Sequence, residues 1–265
     1  MGTWKRCSLI LAVLALCACA HHPADDPADP LEPVNRAVYT FNSKADHYVL
    51  RPAAKGYAAV MPDWAREGIG NFFSNLFYPT TIVNDFLQAK FKQGAADTGR
   101  FVVNSIYGVG GLIDVGNRVG LSKHDEDFGQ TLGYWGVGEG WFLMLPFLGP
   151  NDNRDLVGKG VDIFTNPTHY LPGRYDLPQY LTTFVLYNVD RRANLLSTDS
   201  LLESQFDQYL FIRTAYLQHR QAMVYDGNPP PEDLGLSNFD DDTNATNAPT
   251  PAAAKPAADP KTDKP

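Results

Sequence analysis

The sequence predicts a mostly α-helical protein, and three observations support that expectation. Between about residues 29 and 225, apolar side chains recur at three- and four-residue steps, the spacing that lines one stripe of a helix. Carboxylate caps and early prolines, the usual helix-starting signals, precede several of these stripes. No run shows the repeated apolar–polar alternation of a half-buried strand, and no internal repeat is visible.

Taken in order, residues 1–18 read as an export signal. Lys5 and Arg6 give a basic start, and Ser8 to Leu16 form a nine-residue run that is apolar after its first residue. A membrane-spanning helix needs ~20 apolar residues, whereas this length suits a cleaved leader. The run ends Leu16-Cys17-Ala18-Cys19, which looks like a bacterial lipobox with Cys19 as the acylated residue. Cys17 does not fit, because bulky Leu16 would stand just before the cut. Each buried methylene contributes ~0.8 kcal/mol, so two or three acyl chains would anchor the protein almost permanently. Ala20 follows the cysteine where an inner-membrane retention signal would carry Asp, which favours the outer membrane. Cys7 and Cys17 leave with the leader, so no disulfide is expected.

Residues 19–28 form the acylated end and a Pro/Asp-rich tether. Asp29-Pro30-Leu31-Glu32 then reads as a helix start with Asp29 as N-cap. Leu31, Val34, Val38, Phe41, Ala45 and Tyr48 follow as one stripe, and the helix should stop before Pro52. Asp63 should cap a second helix, Trp64 to about Phe77, roughly 21 Å long at 1.5 Å per residue and too short to cross a bilayer. Pro79 should open a third helix, and a fourth should run from Lys92 to Tyr107. Asp152–Phe164, Pro178–Leu196 and Asp199–Met223 complete the helical segments. From Asp226 the composition collapses to Asn, Pro, Asp, Ala, Thr and Lys, and residues 240–265 hold no Leu, Ile, Val or aromatic. Such a tail cannot bury enough apolar area to fold.

The formal net charge is −8, but it is unevenly placed. Residues 33–225 hold 17 basic and 18 acidic side chains, while residues 226–265 hold eight acids against three lysines. A near-neutral core lacks the basic face that a nucleic-acid partner requires. Gly108-Val109-Gly110-Gly111 follows a helix and lacks the third glycine of a dinucleotide fingerprint, and neither H-E-x-x-H nor G-x-S-x-G occurs. His124-Asp125-Glu126-Asp127 offers metal-ligating types, but consecutive side chains diverge; a solvated turn with a helix cap is expected there. No catalytic residue, metal site or cofactor is expected.

Gly136, Gly138 and Gly140 alternate ahead of Trp141, Phe142, Leu143, Met144 and Leu145, and the apolar run continues to Leu148. Two readings suit this segment: a glycine-jointed apolar gate, or a core hairpin with turn glycines. Asn35, Arg36, Asn42 and Asp46 lie off the apolar stripe of the first helix, as lining of a wet channel or as ordinary surface.

Together these segments resemble the MlaA/VacJ family of outer-membrane phospholipid-transport lipoproteins. The resemblance rests on Asp29-Pro30-Leu31-Glu32, Asn35-Arg36, Tyr39, Phe41-Asn42, Arg51-Pro52, Asn71-Phe72, Asn75-Leu76, Asn84, Arg100-Phe101, Asn104 and Asp114. It is densest in Glu126-Asp127-Phe128-Gly129-Gln130-Thr131-Leu132-Gly133, the three alternate glycines, Gly149-Pro150 and Arg154-Asp155. The resemblance implies a single all-α, ring-shaped domain over residues 29–225, lying in the periplasmic leaflet of the outer membrane. It implies a central amphipathic channel for phospholipids misplaced in the outer leaflet, with the 136–148 segment as its channel-lining hairpin and gate. The implied partners are a trimeric porin, a soluble periplasmic MlaC-like phospholipid carrier and, through it, an inner-membrane ABC complex.

Overall fold

The computed structural model describes residues 28–170 and 177–230. The leader, Cys19 and most of the tether lie outside the described residues, as does nearly all of the acidic tail.

The first helix, α1 (Glu32–Ala45), starts two residues later than the Asp29-Pro30 signal suggests, with Pro33 in its first turn and Leu31 as an uncapped N-cap. Asp29 has another use: its buried carboxylate accepts hydrogen bonds from Asn35 Nδ2 at 2.7 Å and from the Tyr209 hydroxyl. The chain does not stop before Pro52. A π-turn, Asp46–Leu50, leads straight into α2 (Arg51–Val60), with the Arg51 N–H reaching back five residues to the Asp46 carbonyl. The widened turn makes room for the proline ring, and Pro52 sits where a new α segment has no ladder bond to lose.

The expected second and third helices are one helix, α3 (Asp63–Leu87), with Pro79 inside it. Its 25 residues extend about 37 Å, so length no longer excludes a bilayer crossing. Polarity does, because Asn75, Asn84 and Asp85 are spread along it; among the described residues no helix is long and apolar enough to cross a membrane. One face of α3 meets α4 (Phe91–Ile106), and another sets Phe73 and Phe77 edge-on against Tyr187 of α8 (Leu177–Asn194). These contacts outweigh the ~3 kcal/mol that an interior proline costs an isolated helix.

After α4, residues 108–111 close a tight turn, with the Gly110 and Gly111 N–H groups bonded back to the Ser105 and Asn104 carbonyls. Then come α5 (Val115–Arg118), α6 (Phe128–Tyr134), a hairpin of β1 (Phe142–Leu145) and β2 (Gly149–Asp152), and α7 (Asn153–Thr165). That hairpin is the only β-structure among the described residues. The last expected helix is divided into α9 (Asp199–Glu203) and α10 (Gln208–Val224). Asp114, Asp127, Asp152 and Asp207 each cap the helix that follows by accepting from a backbone N–H three residues on, satisfying otherwise orphan donors.

The interior is unusual in its chemistry. The buried set is dominated by polar and charged side chains, among them Asn84, Asp85, Gln88, Asp97, Gln130, Thr131 and Asn151. The exposed set is rich in large apolar ones, among them Trp64 at 77%, Ile106 at 66% and Phe147 at 72%. Water-soluble domains bury the opposite selection.

Candidate functional site: a hairpin held by helix asparagines

The hairpin begins at the end of α6. Gly136 and Gly140 adopt positive φ, +89° and +74°, which side chains other than glycine rarely tolerate. Gly138 has no positive φ and open space around it. Antiparallel pairing runs from Phe142 opposite Asp152 to Leu145 opposite Gly149. Phe142 and Met144 point inward and pack on Tyr209, with Val38, Tyr39, Ile212, Tyr216 and Leu217 around them. Leu143 and Leu145 are half-buried, while Trp141, Phe147 and Leu148 stand exposed.

The free edge of β1 is covered by side chains. Asn35 Nδ2 donates to the Phe142 carbonyl at 3.0 Å, and its Oδ1 accepts from the Met144 N–H at 2.9 Å. Asn42 repeats the arrangement, donating to the Leu145 carbonyl at 2.9 Å and accepting from the Phe147 N–H at 2.8 Å. Each carboxamide takes the place of a peptide group in a neighbouring strand. Seven helical residues advance ~10.5 Å and three strand residues ~10 Å, so two asparagines seven apart match two strand positions three apart. The amides of Asn35 and Asn42, expected along a channel, are thus committed to the hairpin backbone. Asp46 is committed as well, to Arg192 at 2.7 and 2.9 Å.

The hairpin's base rests on a buried ionic network. Arg220 bonds both oxygens of Asp127, at 2.6 and 2.9 Å, and Asp155 Oδ1 at 2.6 Å. The Tyr216 hydroxyl donates to Asp155. Burial alone would raise the Asp127 carboxyl, but the Arg220 guanidinium outweighs it and holds the group below its ordinary value. Asp152, at the end of β2, is pushed up to about 6 by burial. Gly158 makes the packing possible: a Cβ there would lie 2.3 Å from the Gly129 nitrogen.

A second polar cluster joins α3, α4 and the segment before α6. Asp85 and Asp97 are fully buried, and burial together with a hydrogen bond to Asp97 pushes Asp85 up to about 7. The four expected turn residues separate. His124 Nδ1 approaches Asp97 at 3.0 Å, Glu126 is buried against Gln88, Lys90 and Gln93, Asp127 caps α6, and Asp125 faces solvent. Glu126 therefore corrects the expectation of a solvated turn. Among the described residues no group of three or more His, Cys, Asp or Glu is arranged to hold a metal ion.

Sequence reasoning missed Arg220, Tyr216, Asp85 and Asp97. A pairing such as Arg220 with Asp127, 93 residues away, leaves no local pattern. The repeat of asparagine at a two-turn spacing was visible, but its partners lie more than 100 residues downstream.

Comparison with known proteins agrees with this architecture. The family model for the MlaA lipoprotein matches residues 27–223. The Intermembrane phospholipid transport system lipoprotein MlaA of Escherichia coli K12 is 35% identical over 232 residues, covering 85% of this chain and 91% of that protein. Its Haemophilus influenzae namesake is 32% identical, covering 86% and 93%. A solved chain described under "Structural basis for maintenance of bacterial outer membrane lipid asymmetry" aligns with TM-score 0.66 and 36% identity, over 76% of this chain and 99% of that one. The chain belongs to the MlaA lipoprotein family.

Proposed function

We propose that this protein is an outer-membrane lipoprotein, acylated at Cys19, that removes phospholipids misplaced in the outer leaflet. Its helical domain, ring-shaped as in the family resemblance, lies in the periplasmic leaflet, and phospholipid passes through a central channel. A soluble periplasmic carrier receives the lipid and delivers it to an inner-membrane ABC complex, and a trimeric porin holds the domain in place. The relatives' name, an intermembrane phospholipid transport system lipoprotein, supports the substrate class.

The observation that carries the reading is the inverted distribution of side chains. Large apolar residues on the outside suit a hydrocarbon surround, and a polar interior suits passage of a headgroup. A lipid changing leaflets must bring its head through hydrocarbon, where unpaired polar groups cost several kcal/mol. A polar path lowers that barrier without making or breaking a bond, so the step needs neither catalysis nor a cofactor. The hairpin, with Gly136, Gly138 and Gly140 at its root, serves as the gate.

The deciding experiment is surface-accessible phospholipid in a strain lacking the gene, measured with a membrane-impermeant amine label. Outer-leaflet phospholipid and detergent sensitivity should both rise. Unchanged surface lipid refutes the reading.

A further inference from the structure

Away from the hairpin, a polar cavity of about 200 Å³ opens between α3 and α4, lined among others by Asn71, Ser74, Asn75, Arg100, Asp114 and Lys123. Its charges are uneven. Arg100 is spent on Asp114 at 2.5 Å and on the Leu121 carbonyl. Lys123 is exposed, and among the described residues its ionic partner is Asp125 at 3.7 Å, so the cavity keeps a loosely held cation.

Asn75 is 8% exposed, and its Nδ2 donates to the Ser105 hydroxyl at 3.0 Å, yet its buried Oδ1 has no hydrogen-bond partner among the described residues. Exchanging the amide's oxygen and nitrogen would only move the vacancy to the other atom. A buried polar atom left unpaired is destabilising, a cost that a ligand group would remove. The neighbouring turn adds a third feature. Gly111 lies directly on Asn75, where a Cβ would come within 2.5 Å of the asparagine's own, and the residues beside it, Val109, Leu112 and Ile113, are exposed at 66%, 43% and 41%.

We propose that this cavity binds the phosphodiester headgroup of a phospholipid, with the acyl chains lying over Val109, Leu112 and Ile113. Lys123 meets the phosphate, and the Asn75 amide meets a headgroup ammonium or hydroxyl. The cavity is too small and too polar for acyl chains, while the apolar turn beside it is wasted on a free anion. The proposal rests on the phospholipid-transport reading and places one lipid-binding step of that transport at α3–α4.

The test uses the full acylated chain in vesicles of phosphatidylethanolamine and phosphatidylglycerol, with a photoactivatable group on the phosphatidylethanolamine head. A parallel arm uses the same headgroup as a soluble glycerophosphodiester, and a third adds excess inorganic phosphate. Lipid crosslinks should map to residues 71–78 and 100–104 and survive inorganic phosphate, and the soluble diester should label these positions weakly. Losing one charge-assisted contact of ~1 kcal/mol should cut the crosslinks about fivefold in Lys123→Ala, an exposed position that does not threaten folding. Ser74→Trp, which fills the cavity, should abolish them. Lipid crosslinks that map elsewhere, or that persist in both variants, overturn this site and leave the transport reading intact. Equal labelling by the soluble diester, or displacement by inorganic phosphate, also overturns it in favour of a simple anion site. No lipid crosslinking anywhere on the chain overturns both.

Discussion

Replacing Asn42 by alanine should release the tip of the hairpin while its base stays in place. The substitution removes two hydrogen bonds, one to the Leu145 carbonyl at 2.9 Å and one from the Phe147 N–H at 2.8 Å. At this exposed end water can replace both, so each is worth ~1 kcal/mol net, and the opening equilibrium of the tip should shift by ~2 kcal/mol, about 30-fold. The Phe41–Phe147 ring contact, centroids 5.1 Å apart, remains and limits the displacement. Amide hydrogen exchange resolved to single residues reads this directly: the Phe147 amide should exchange about 30-fold faster, while Met144, held by Asn35, keeps its protection. Asn35→Ala supplies the contrast. It strands the Phe142 carbonyl and the Met144 N–H in the interior and removes the partner of Asp29 Oδ1, whose other oxygen keeps Tyr209 and Arg213, at ~3–5 kcal/mol for the set, and should lower the melting temperature of the whole domain. Unchanged Phe147 exchange in Asn42→Ala, or equal global destabilisation by both substitutions, refutes the clamp.

Three further outcomes are expected. Asp85 takes up its proton more readily folded than unfolded, since burial lifts its carboxyl from 3.8 to about 7; its stabilising contribution is complete below about pH 4 and is lost as pH rises through 7. Asp85→Asn should therefore raise the melting temperature by a few degrees at pH 8 and little at pH 4, and an equal gain at both pH values contradicts the assignment. Gly158→Ala, which drives a methyl to 2.3 Å from the Gly129 backbone, should cost ~1–3 kcal/mol by overpacking, whereas Gly138→Ala meets open space and should melt like the unmodified protein. Cys19→Ala, exported through an ordinary cleaved signal, should still partition onto vesicles because of the exposed apolar side chains; complete recovery in the soluble fraction contradicts a leaflet-embedded domain.

The helices were legible where an apolar stripe recurred, as in α4, or where a carboxylate cap preceded the segment, as Asp152 does for α7. They were misread at Pro52 and Pro79, because proline is a local stop signal while the decision is made by packing. Pro79 sits in a helix that α4 and α8 hold from two sides, and Pro52 follows a π-turn no sequence pattern announces. Asp29 looked like a cap because capping needs only local residues; its real partners, Asn35, Tyr209 and Arg213, include two from the far end of the chain. The hairpin was legible from its glycines and unbroken apolar run. Its attachment was not, because an asparagine that mimics a strand looks in sequence like one that faces water.

For the proposed gate, that attachment would let one element be both anchored and movable. A full third strand would bond the hairpin along its whole length, and opening it would mean breaking a continuous ladder. Two carboxamides on a rigid helix hold it at two separate points, and burial makes those points unequal. At the Asn35 end the bonded groups share a dry pocket with Asp29 and Tyr209, and no water is available to replace a broken bond. At the Asn42 end the partners lie beside exposed Phe147 and Leu148, and water or lipid can take their place at little cost. The same carboxamide chemistry therefore gives a fixed root and a releasable tip, with Gly136 and Gly140 supplying the bend behind the root. In the proposed gate, the gradient of burial along α1 would set where it opens.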